Sequence, residues 1–512
     1  MTYRTESLWN ATHQLRRFGP LAGDRDSDVA IIGGGVSGLT AAVLLARGGK
    51  RVSIVERDHI ASGETGNTTS HLTEAVDARY QTLAKDFGEQ NASLVAASKR
   101  AAIDRIEVFT RETGHDCGFS RVPGFLYTER TEDVEGLANE LDAARRAGCL
   151  VRWEDEVPLP FKTFGAVRWE HQAQVHATAY LEALLQDAAA HGVRIYENTR
   201  VVDVHDGDPC QVETDRGAIR AADVFVAANV PVNNRVLLHT KIAAYRSYAI
   251  ATDIRASQVE AMRGLFWDTD DPYHYTRVHD IAGRTYLVVG GEDHRTGEEA
   301  GTDACYERLL AYAQQRFGIT EAKYRWSGQI IEPVDGLPFI GLNTASRHVY
   351  VGTGYSGNGI TFGTLAGMMV SDLITGRANP YVSLYDATRV KPIASAYDYV
   401  AENVAFPAHL IKDRLTSLSS EDRPIESLRP GEGGIFSTPE GKLAVCRDRA
   451  GAVHACSAVC THLGCDVAWN HAEQTWDCPC HGSRFSAEGK VINGPAVTDL
   501  AWRPLPTGAS RR

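Results

Sequence analysis

The chain has 512 residues, of which 43% are hydrophobic and 23% are charged, and its formal net charge is −12. This length leaves room for two or three domains with large cores, and the composition is ordinary for a soluble globular protein. The negative charge argues against nucleic acid or an anionic membrane surface as a partner.

Residues 1–25 are interpreted as an N-terminal extension. Arg16 and Arg17 have no apolar segment behind them, which argues against a secretory or twin-arginine signal. No run of about eighteen or more uninterrupted apolar residues occurs, so no membrane span is predicted. We therefore expect a cytoplasmic protein.

A dinucleotide fingerprint follows the extension. The apolar run from Asp28 to Ile32 predicts a buried parallel strand, which leads into the G-x-G-x-x-G turn of residues 33–38. A helix and a second strand ending at Glu56 complete the pattern. The glycines let backbone amides approach a pyrophosphate, and Glu56 suits a ribose 2′-OH but would repel a 2′-phosphate.

Three further segments resemble the D-amino acid oxidase and glycine oxidase superfamily of FAD enzymes. HIASGETGNTTSH at 59–71 is similar to its second flavin-contacting loop. EPVDGLPFIG at 332–341 and the glycine-rich VGTGYSGNGIT at 351–361 resemble later segments, the last of which opens a helix whose dipole would face the flavin. These resemblances imply FAD as the cofactor. No second G-x-G-x-x-G follows a strand in the middle of the chain, so no NAD(P)H domain is predicted.

The fingerprint and the resemblance together define the expected cofactor-binding residues. In the resembled superfamily the backbone near Val201 meets the adenine, and some members attach FAD covalently through a histidine in the region of His71. We favour a His71 that packs beside the flavin or caps a helix, with a covalent link as the alternative. The expected residues are Gly33, Gly35, Val36, Ser37, Gly38, Glu56, Arg57, Thr68, Thr69, Ser70, His71, Val201, Asp335, Gly354, Gly357, Asn358, Gly359, Ile360 and Thr361.

The middle of the chain alternates between helix and strand patterns. A helix is predicted at 176–192, strands at 194–204 and 210–214, and a return to the nucleotide domain at 223–229. The stretches at about 81–164 and 241–324 are expected to form an inserted substrate domain, a sheet with flanking helices.

Two runs in the inserted part, YRSY and DPYHYTR, combine aromatic and basic residues. Such clusters suit a cage for an amine substrate, although packed strands of a sheet carry similar residues. Sarcosine oxidases have a lysine for the substrate carboxylate where this chain has Thr361, so a simple N-methyl amino acid requires a clamp from Arg246 or Arg277. The catalytic candidates are Arg246, Tyr248, Tyr273, His274, Tyr275 and Arg277.

The most specific motif is CTHLGC at 460–465 with CPCHGS at 478–483. Each loop offers one thiolate and one imidazole, and the mixed set Cys460, His462, Cys478 and His481 suits a Rieske [2Fe–2S] centre. A Cys/His zinc site is the alternative, but it leaves Cys465 and Cys480 unexplained.

These loops resemble the Rieske domains of cytochrome bc complexes. The resemblance implies a disulfide between Cys465 and Cys480. It also implies a hydrogen bond from Ser483 to a bridging sulfide, whereas the tyrosine that donates to a cysteine sulfur in the respiratory relatives is replaced by Phe485. Losing that bond predicts a potential below those of respiratory Rieske proteins. The scattered cysteines are expected to be buried thiols: Cys117, Cys149, Cys210 and Cys305.

The predicted fold is an α/β FAD-binding Rossmann-like domain with an inserted α+β substrate domain, followed by a small all-β Rieske domain. The oxidoreductase spans 26–380, with FAD-binding parts at about 26–80, 165–240 and 325–380. A helical linker is expected at 381–425 and the Rieske domain at 426–512.

The expected activity is oxidation of an amine or amino acid C–N bond by hydride transfer to FAD. Electrons would then pass singly to the [2Fe–2S] cluster and on to an external acceptor, a small redox protein or a quinone. The alternatives are an oxygen-using amine oxidase with a structural Rieske domain, a reductase-type or ferredoxin-fed flavoprotein, and a redox sensor. A Rieske oxygenase is excluded, because the extra cysteine pair marks another subtype and no His/His/carboxylate run is evident.

Overall fold

The structure, a computed structural model, describes residues 4–231, 238–299, 301–389, 424–439 and 441–505. The predicted helical linker falls mainly on 390–423, which lies outside the described residues. The α-helices of the described parts are α1 (Leu8–Thr12), α2 (Val36–Arg47), α3 (Glu64–Asn67), α4 (Tyr80–Phe87), α5 (Glu89–Thr113), α6 (Val134–Arg146), α7 (Ala177–Ala190), α8 (Ala256–Val259), α9 (Thr302–Phe317), α10 (Gly359–Ile374) and α11 (Val382–Tyr385).

Strands form two large sheets and two small ones. Those of the large sheets are β1 (Arg4–Thr5), β2 (Arg25–Ile32), β3 (Val52–Val55), β4 (His71–Leu72), β5 (Ser120–Tyr127), β6 (Val151–Glu154), β7 (Ala166–Gln174), β8 (Arg194–Tyr196), β9 (Val201–His205), β10 (Cys210–Thr214), β11 (Gly217–Val226), β12 (Ile242–Ile254), β13 (Leu265–Trp267), β14 (His274–Ile281), β15 (Arg284–Arg295), β16 (Tyr324–Pro333), β17 (Phe339–Leu342) and β18 (Val349–Thr353). Those of the small sheets are β19 (Gly433–Thr438), β20 (Gly441–Arg447), β21 (Val453–Ser457), β22 (Ala468–Asn470), β23 (Thr475–Asp477), β24 (Arg484–Ser486) and β25 (Val491–Asn493).

The nucleotide sheet has the order β17-β18-β11-β2-β3-β8, and β18 through β8 run parallel. Strand β10 pairs antiparallel with β11, and β9 pairs antiparallel with β10. Val29, Ala30 and Ile31 of β2 are fully buried, because both faces of the sheet are covered. Helix α2 crosses from β2 to β3 and packs against α7 and α10. It is buried on nearly every side, which explains why its sequence lacks a polar face.

The second large sheet has the order β1-β16-β12-β15-β14-β13-β5-β7-β4, with β6 on β7. Its long central strands β12, β15 and β14 pair antiparallel, and α9 packs on β12 and β15. Side chains alternate between this covered face and the opposite face, which looks toward the nucleotide sheet. This alternation decides which of the candidate residues reach a ligand.

The N-terminal segment is part of the fold. Strand β1 pairs parallel with β16, and Leu8 and Trp9 of α1 are fully buried. Ser7 caps α1 by accepting a hydrogen bond from the Asn10 amide at 3.2 Å. The predicted extension therefore contributes a strand to the second sheet.

The C-terminal part is all-β, as predicted. Strands β19, β20 and β21 form one antiparallel sheet, and β22 to β25 form another. Ala444, Trp476 and Phe485 are fully buried in its core. The predicted fold class, an α/β oxidoreductase with an inserted sheet and a small all-β domain, is confirmed.

Candidate functional site

The glycine turn joins β2 to α2 at the wall of a cavity of about 480 Å³. Gly33 has φ +108, and a Cβ on it would lie 2.8 Å from the Ala227 carbonyl oxygen. A Cβ on Gly38 would lie 2.1 Å from the Gly33 carbonyl oxygen, so only glycine allows this close packing. Val36 and Ser37 at the start of α2 line the cavity, where the helix N-terminus and its dipole favour a phosphate.

Glu56 follows β3 and lies in the same cavity, near Val201. Its carboxylate accepts hydrogen bonds from the amides of Gly34 at 2.8 Å and Asp58 at 3.1 Å. Burial raises the pKa of Glu56, although these two donors oppose the rise. A buried carboxylate beside a phosphate-binding turn suits the hydroxyl groups of a ribose.

Most of the predicted cofactor-binding residues line this cavity. They are Gly33, Gly35, Val36, Ser37, Glu56, Arg57, Thr68, Thr69, His71, Val201, Gly357, Asn358, Gly359 and Ile360. Outside the lining lie Gly38, Ser70, Asp335, Gly354 and Thr361. Asp335 is engaged by both ends of the Arg389 guanidinium, at 2.7 and 2.8 Å, and Thr361 is buried inside α10.

The lining also contains residues that the sequence analysis missed. Glu64 and Asn67 could have been predicted, because they belong to the segment 59–71 that resembles the second flavin-contacting loop. Others come from distant parts of the chain that no local motif connects: Arg79, Trp267, Asp268, Asn229, Gln329 and, from the C-terminal domain, Val491, Ile492, Asn493, Gly494, Ala496 and Val497. The volume, the glycine turn with its helix N-terminus and the buried Glu56 fit a dinucleotide such as FAD.

The catalytic candidates on the strands fall into two groups: some line the cavity, and their neighbours in the sequence point to the opposite face of the sheet. On β12, Ser247 lines the cavity, whereas its neighbours Arg246 and Tyr248 lie outside its lining. Tyr273 and Tyr275 line the cavity, and His274 instead stacks on Tyr312 with ring centroids 4.1 Å apart. Successive side chains of a strand point to opposite faces, so neighbouring candidates in the sequence separate.

Arg277 is also outside the cavity lining, although it is fully buried. Its guanidinium lies 4.8 Å from the ring centroid of Trp9 and donates to Gln174 and the Val175 carbonyl, each at 3.2 Å. Arg246 is engaged by Glu473 at 2.6 Å. Neither arginine is available as a clamp for a substrate carboxylate.

His71 lines the cavity and meets the Tyr275 ring edge-on, with centroids 5.6 Å apart. Burial, together with the charge of Arg277, lowers the pKa of His71 to about 3, so its imidazole is neutral at physiological pH. Packing beside the flavin, without a covalent link, stays a prediction. Acid precipitation checks it: yellow supernatant means that FAD is not attached covalently.

Arg79 provides a cation in the cavity. It has φ +62 and ψ 144, a backbone conformation that non-glycine residues rarely adopt, and it precedes α4. Among the described residues its guanidinium makes no hydrogen bond and no ion pair. Burial lowers the pKa of Arg79, whereas Glu140, Asp77 and Tyr273 oppose this. It nevertheless stays charged, because arginine does not lose its proton in proteins.

The carboxylates that line the same cavity are already engaged. Asp77 accepts from the Gly357 amide at 2.9 Å, Asp268 from the His274 amide at 2.8 Å, and Asp270 lies 3.6 Å from Arg130. The unpaired charge of this region is therefore the guanidinium of Arg79, which suits an anionic group of a ligand.

A buried polar chain reaches the cavity through Tyr275. Its hydroxyl lies 2.8 Å from the Ser247 hydroxyl, which in turn hydrogen-bonds Asp293. Burial raises the pKa of Asp293 to about 7, and the negative charges of Asp77 and Glu292 act in the same direction. The chain can therefore hold or release a proton near neutral pH.

The two C-terminal motif loops lie side by side. The side chains of Cys460 and Cys478 are in hydrogen-bond contact, and the rings of His462 and His481 have centroids 4.9 Å apart at 88°. The structure thus brings two thiols together and two imidazoles together. This donor set fits the mixed ligation of a [2Fe–2S] cluster.

Backbone amides complete the thiol environment. Those of His462 and Leu463 donate to the sulfur of Cys460, and those of Cys480 and His481 to the sulfur of Cys478. Such donors favour thiolates, which is the form that binds iron.

The predicted disulfide between Cys465 and Cys480 is present, with the sulfur atoms 2.04 Å apart. It joins the two motif loops. The scattered cysteines are buried free thiols, as expected: Cys117, Cys149, Cys210 and Cys305.

Ser483 and Phe485 lie beside the predicted ligands. The Ser483 hydroxyl accepts from the Ala496 amide at 3.0 Å and contacts Cys460. Phe485 is fully buried on β24, and its backbone pairs with Trp476. The position that carries a tyrosine in the respiratory relatives therefore offers no hydroxyl here.

Comparison with known proteins identifies both parts. The family model described as "FAD dependent oxidoreductase" matches residues 28–373, and the model "Rieske [2Fe-2S] domain" matches 422–504. The chain belongs to the FAD dependent oxidoreductase family. Its cofactors are FAD and, in the C-terminal Rieske domain, a [2Fe–2S] cluster.

Several relatives of this FAD dependent oxidoreductase resemble most of its length. The putative Rieske 2Fe-2S iron-sulfur protein YhfW of Bacillus subtilis is 32% identical over 97% of this chain and 97% of its own. Gamma-glutamylputrescine oxidoreductase of Escherichia coli is 23% identical over 74% of this chain and 91% of its own. Glycine oxidase from Geobacillus kaustophilus shares the fold, with a TM-score of 0.59 at 23% identity, over 71% of this chain and 99% of its own.

No helix of the described residues is both long and apolar enough to cross a membrane. The cytoplasmic location stays a prediction.

Proposed function

We propose that the protein is a dehydrogenase that oxidises the C–N bond of an amine or amino acid and delivers the electrons to an external acceptor. The observation that carries this proposal is the cavity, where the unpaired Arg79 and the tyrosines Tyr273 and Tyr275 meet the predicted FAD residues. When bound, FAD supplies the hydride acceptor and the [2Fe–2S] cluster a one-electron carrier.

The chain's own residues bind and orient the substrate. Arg79 holds an anionic group such as a carboxylate, because it is the cation in this region without a protein partner among the described residues. Tyr273 and Tyr275 provide aromatic walls for the amine. The names of two similar proteins, gamma-glutamylputrescine oxidoreductase and glycine oxidase, point to the same substrate class.

An ammonium group must lose a proton before its C–N bond is oxidised. The chain from Tyr275 through Ser247 to Asp293 accepts that proton, because its terminal carboxylate is buried and its pKa is raised to about 7. Asp293 does not line the cavity, so it acts through the hydroxyls of Ser247 and Tyr275.

We propose Cys460 and Cys478 as ligands of one iron and His462 and His481 as ligands of the other. Val230 and Ile331 line both the large cavity and a small cleft beside His481. One layer of side chains therefore separates His481 from the cavity, which supports transfer between the two cofactors. The external acceptor is a small redox protein or a quinone.

The test is anaerobic mixing of the holoenzyme with a panel of amines and amino acids, with flavin absorbance and the EPR signal of the cluster recorded together. We expect the flavin to bleach first and a reduced Rieske signal to follow. A flavin that bleaches while the cluster stays silent, and reoxidises rapidly in air, would instead indicate an oxidase with a structural Rieske domain. A flavin that no amine or amino acid bleaches would contradict the substrate class.

A further inference from the structure

The Rieske domain forms part of the cavity that holds the FAD-binding residues. Val491, Ile492 and Asn493 of β25, with Gly494, Ala496 and Val497, line it alongside the glycine turn of the other domain. The Asn493 amide donates to Glu64 at 3.0 Å, and the Glu64 carboxylate also accepts from the Gln329 amide at 2.6 Å. Both Glu64 and Gln329 line the cavity.

A second set of contacts lies near Glu56 and Val201. The Arg57 guanidinium donates to the Ile492 carbonyl, and Arg200 lies 3.4 Å from Asp499. Arg57 and Arg200 line the cavity as well. The segment 491–499 is thus attached to the region that the fingerprint assigns to the ribose.

The two domains are also joined by buried charges. Glu473 belongs to the Rieske domain, and one of its carboxylate oxygens accepts a hydrogen bond from Arg246 of β12 at 2.6 Å. Its other carboxylate oxygen accepts one from Arg484. Arg484 also donates to Asp477 at 3.0 Å. Arg246 is 1% exposed and Arg484 5%, so separating the domains would leave buried charges without partners.

The surfaces between these contacts are closely packed. Gly482 has φ +74, and a Cβ on it would lie 2.2 Å from the Ala244 Cβ. The Gln329 side chain donates to the Gly482 carbonyl at 2.6 Å. Across the interface, a Cβ on Gly297 would lie 2.9 Å from the Asp477 carbonyl. Glycine at both positions allows the two domains to approach this closely.

We propose that the Rieske domain is a fixed wall of the FAD site, so that retention of FAD depends on Asn493 and the residues beside it. This role follows from the shared cavity, the hydrogen bond from Asn493 to Glu64 and the buried ion pairs that hold the domain in place. It does not depend on which substrate the enzyme oxidises.

The test is the rate at which FAD leaves the holoenzyme, followed as the rise in flavin fluorescence without substrate. Asn493→Ala removes a hydrogen bond to a buried carboxylate, and we expect FAD to leave about tenfold faster. Glu473→Gln, which weakens the ion pairs, should give at least the same acceleration. Glu488→Gln is the matched control, since Glu488 is an exposed Rieske residue that accepts a hydrogen bond from the neighbouring Ser486 hydroxyl. Its rate of FAD release should stay within about twofold of the wild type.

Cluster absorbance and EPR are recorded for each variant, because they report whether the Rieske domain is folded. Faster release of FAD from Asn493→Ala with an unchanged cluster signal supports the proposal. Release rates within twofold of the wild type for both Asn493→Ala and Glu473→Gln would overturn it. So would acceleration that appears only when the cluster signal is lost, since that outcome reflects unfolding.

Discussion

Arg79 shows how one residue decides what the cavity can bind. Its side chain reaches the cavity from a backbone conformation at φ +62, which costs about 1–3 kcal/mol for a non-glycine residue. Such strain persists where the surrounding structure imposes it, and it is common at ligand sites. The carboxylates around Arg79 are engaged elsewhere, so its charge is available to a substrate.

Replacing Arg79 by methionine tests this role. We expect kcat/KM for a carboxylate-bearing amine to fall roughly 10- to 100-fold, because a hydrogen bond to a charged group contributes about 1.5–3 kcal/mol. The same amine without its carboxylate should be oxidised equally by both proteins. Arg220→Met is the control, since Arg220 is exposed, pairs with Asp26 and lies outside the cavity lining. Equal losses of kcat/KM for both substrates would show that Arg79 does not bind the substrate carboxylate.

Asp293 should give the reaction a pH dependence. Burial raises the pKa of its carboxyl to about 7, and only the deprotonated form accepts a proton from the substrate. We therefore expect kcat/KM to rise with pH through about 7 and then to level off. Asp293→Asn should remove this rise, whereas Asp253→Asn, at an exposed pair with Lys323, should keep it. Identical pH profiles for the wild type and Asp293→Asn would exclude the relay.

Phe485 bears on the potential of the cluster. Phe485→Tyr restores a hydroxyl at the position where the respiratory relatives carry one, and a neutral hydrogen bond contributes about 1 kcal/mol. For a one-electron couple this corresponds to a rise of about 40 mV, because the bond stabilises the reduced cluster. An EPR-monitored redox titration measures the change. Ser483→Ala should shift the potential in the opposite direction, and an unchanged potential in Phe485→Tyr with a normal EPR spectrum would contradict the assignment.

At the scale of elements, the site depends on the junction of β2 and α2. The turn brings the N-terminus of α2 against the cavity, and the helix packs closely on the turn through Gly38. The long strands β12 and β14 then decide which side chains face the ligand. Because alternate residues point to opposite faces, Ser247 and Tyr275 reach the cavity while Arg246 and His274 serve other contacts.

Gly38→Ala tests the junction. The new Cβ would lie 2.1 Å from the Gly33 carbonyl oxygen, so turn and helix must separate. We expect a loss of about 1–3 kcal/mol in the free energy of unfolding and weaker FAD binding. Gly136→Ala is the control, because nothing lies within 4 Å of a Cβ there and alanine favours the helix. Denaturant unfolding and flavin content measure both effects; normal FAD binding by Gly38→Ala would contradict this account.

At the scale of the whole molecule, two domains share one cavity. The fixed wall formed by the Rieske domain places His481 one layer of side chains from the cavity. The electron transfer that we propose between the cofactors would then need no rotation of the domain. The buried ion pairs of Glu473 hold this arrangement, and one of them joins β12 directly to the Rieske domain.

The ion pairs of Glu473 predict that the free energy of unfolding depends on pH in acid. Burial acts to raise the pKa of Glu473, but Arg246 and Arg484 outweigh it and lower the pKa to about 2. A carboxyl whose pKa is depressed on folding contributes stability above its unfolded value, about 4.5, and that stability is lost as pH falls from there toward 2. We expect the difference in unfolding free energy between the wild type and Glu473→Gln to be constant at neutral pH and to shrink below about pH 4.5. A difference that does not change between pH 7 and pH 3 would contradict this.

The sequence by itself determined the cofactors. The glycine turn, Glu56 and the two Cys/His loops are local motifs in which a few neighbouring residues impose a backbone geometry and a set of donors. Their function could therefore be predicted from spacing, and the Cys465–Cys480 disulfide from the resemblance to Rieske domains. The fold class followed from the order of the same motifs along the chain.

Only the tertiary structure decided the substrate end of the site. Arg79 is unpaired because the carboxylates of Asp77 and Asp268 have other partners in the folded chain. No local sequence pattern shows which partners they take. Arg246 was a reasonable candidate until the Rieske domain placed Glu473 beside it. Long-range contacts between strands and between domains determine which charges are engaged and which face a ligand, and these contacts exist only after the chain has folded.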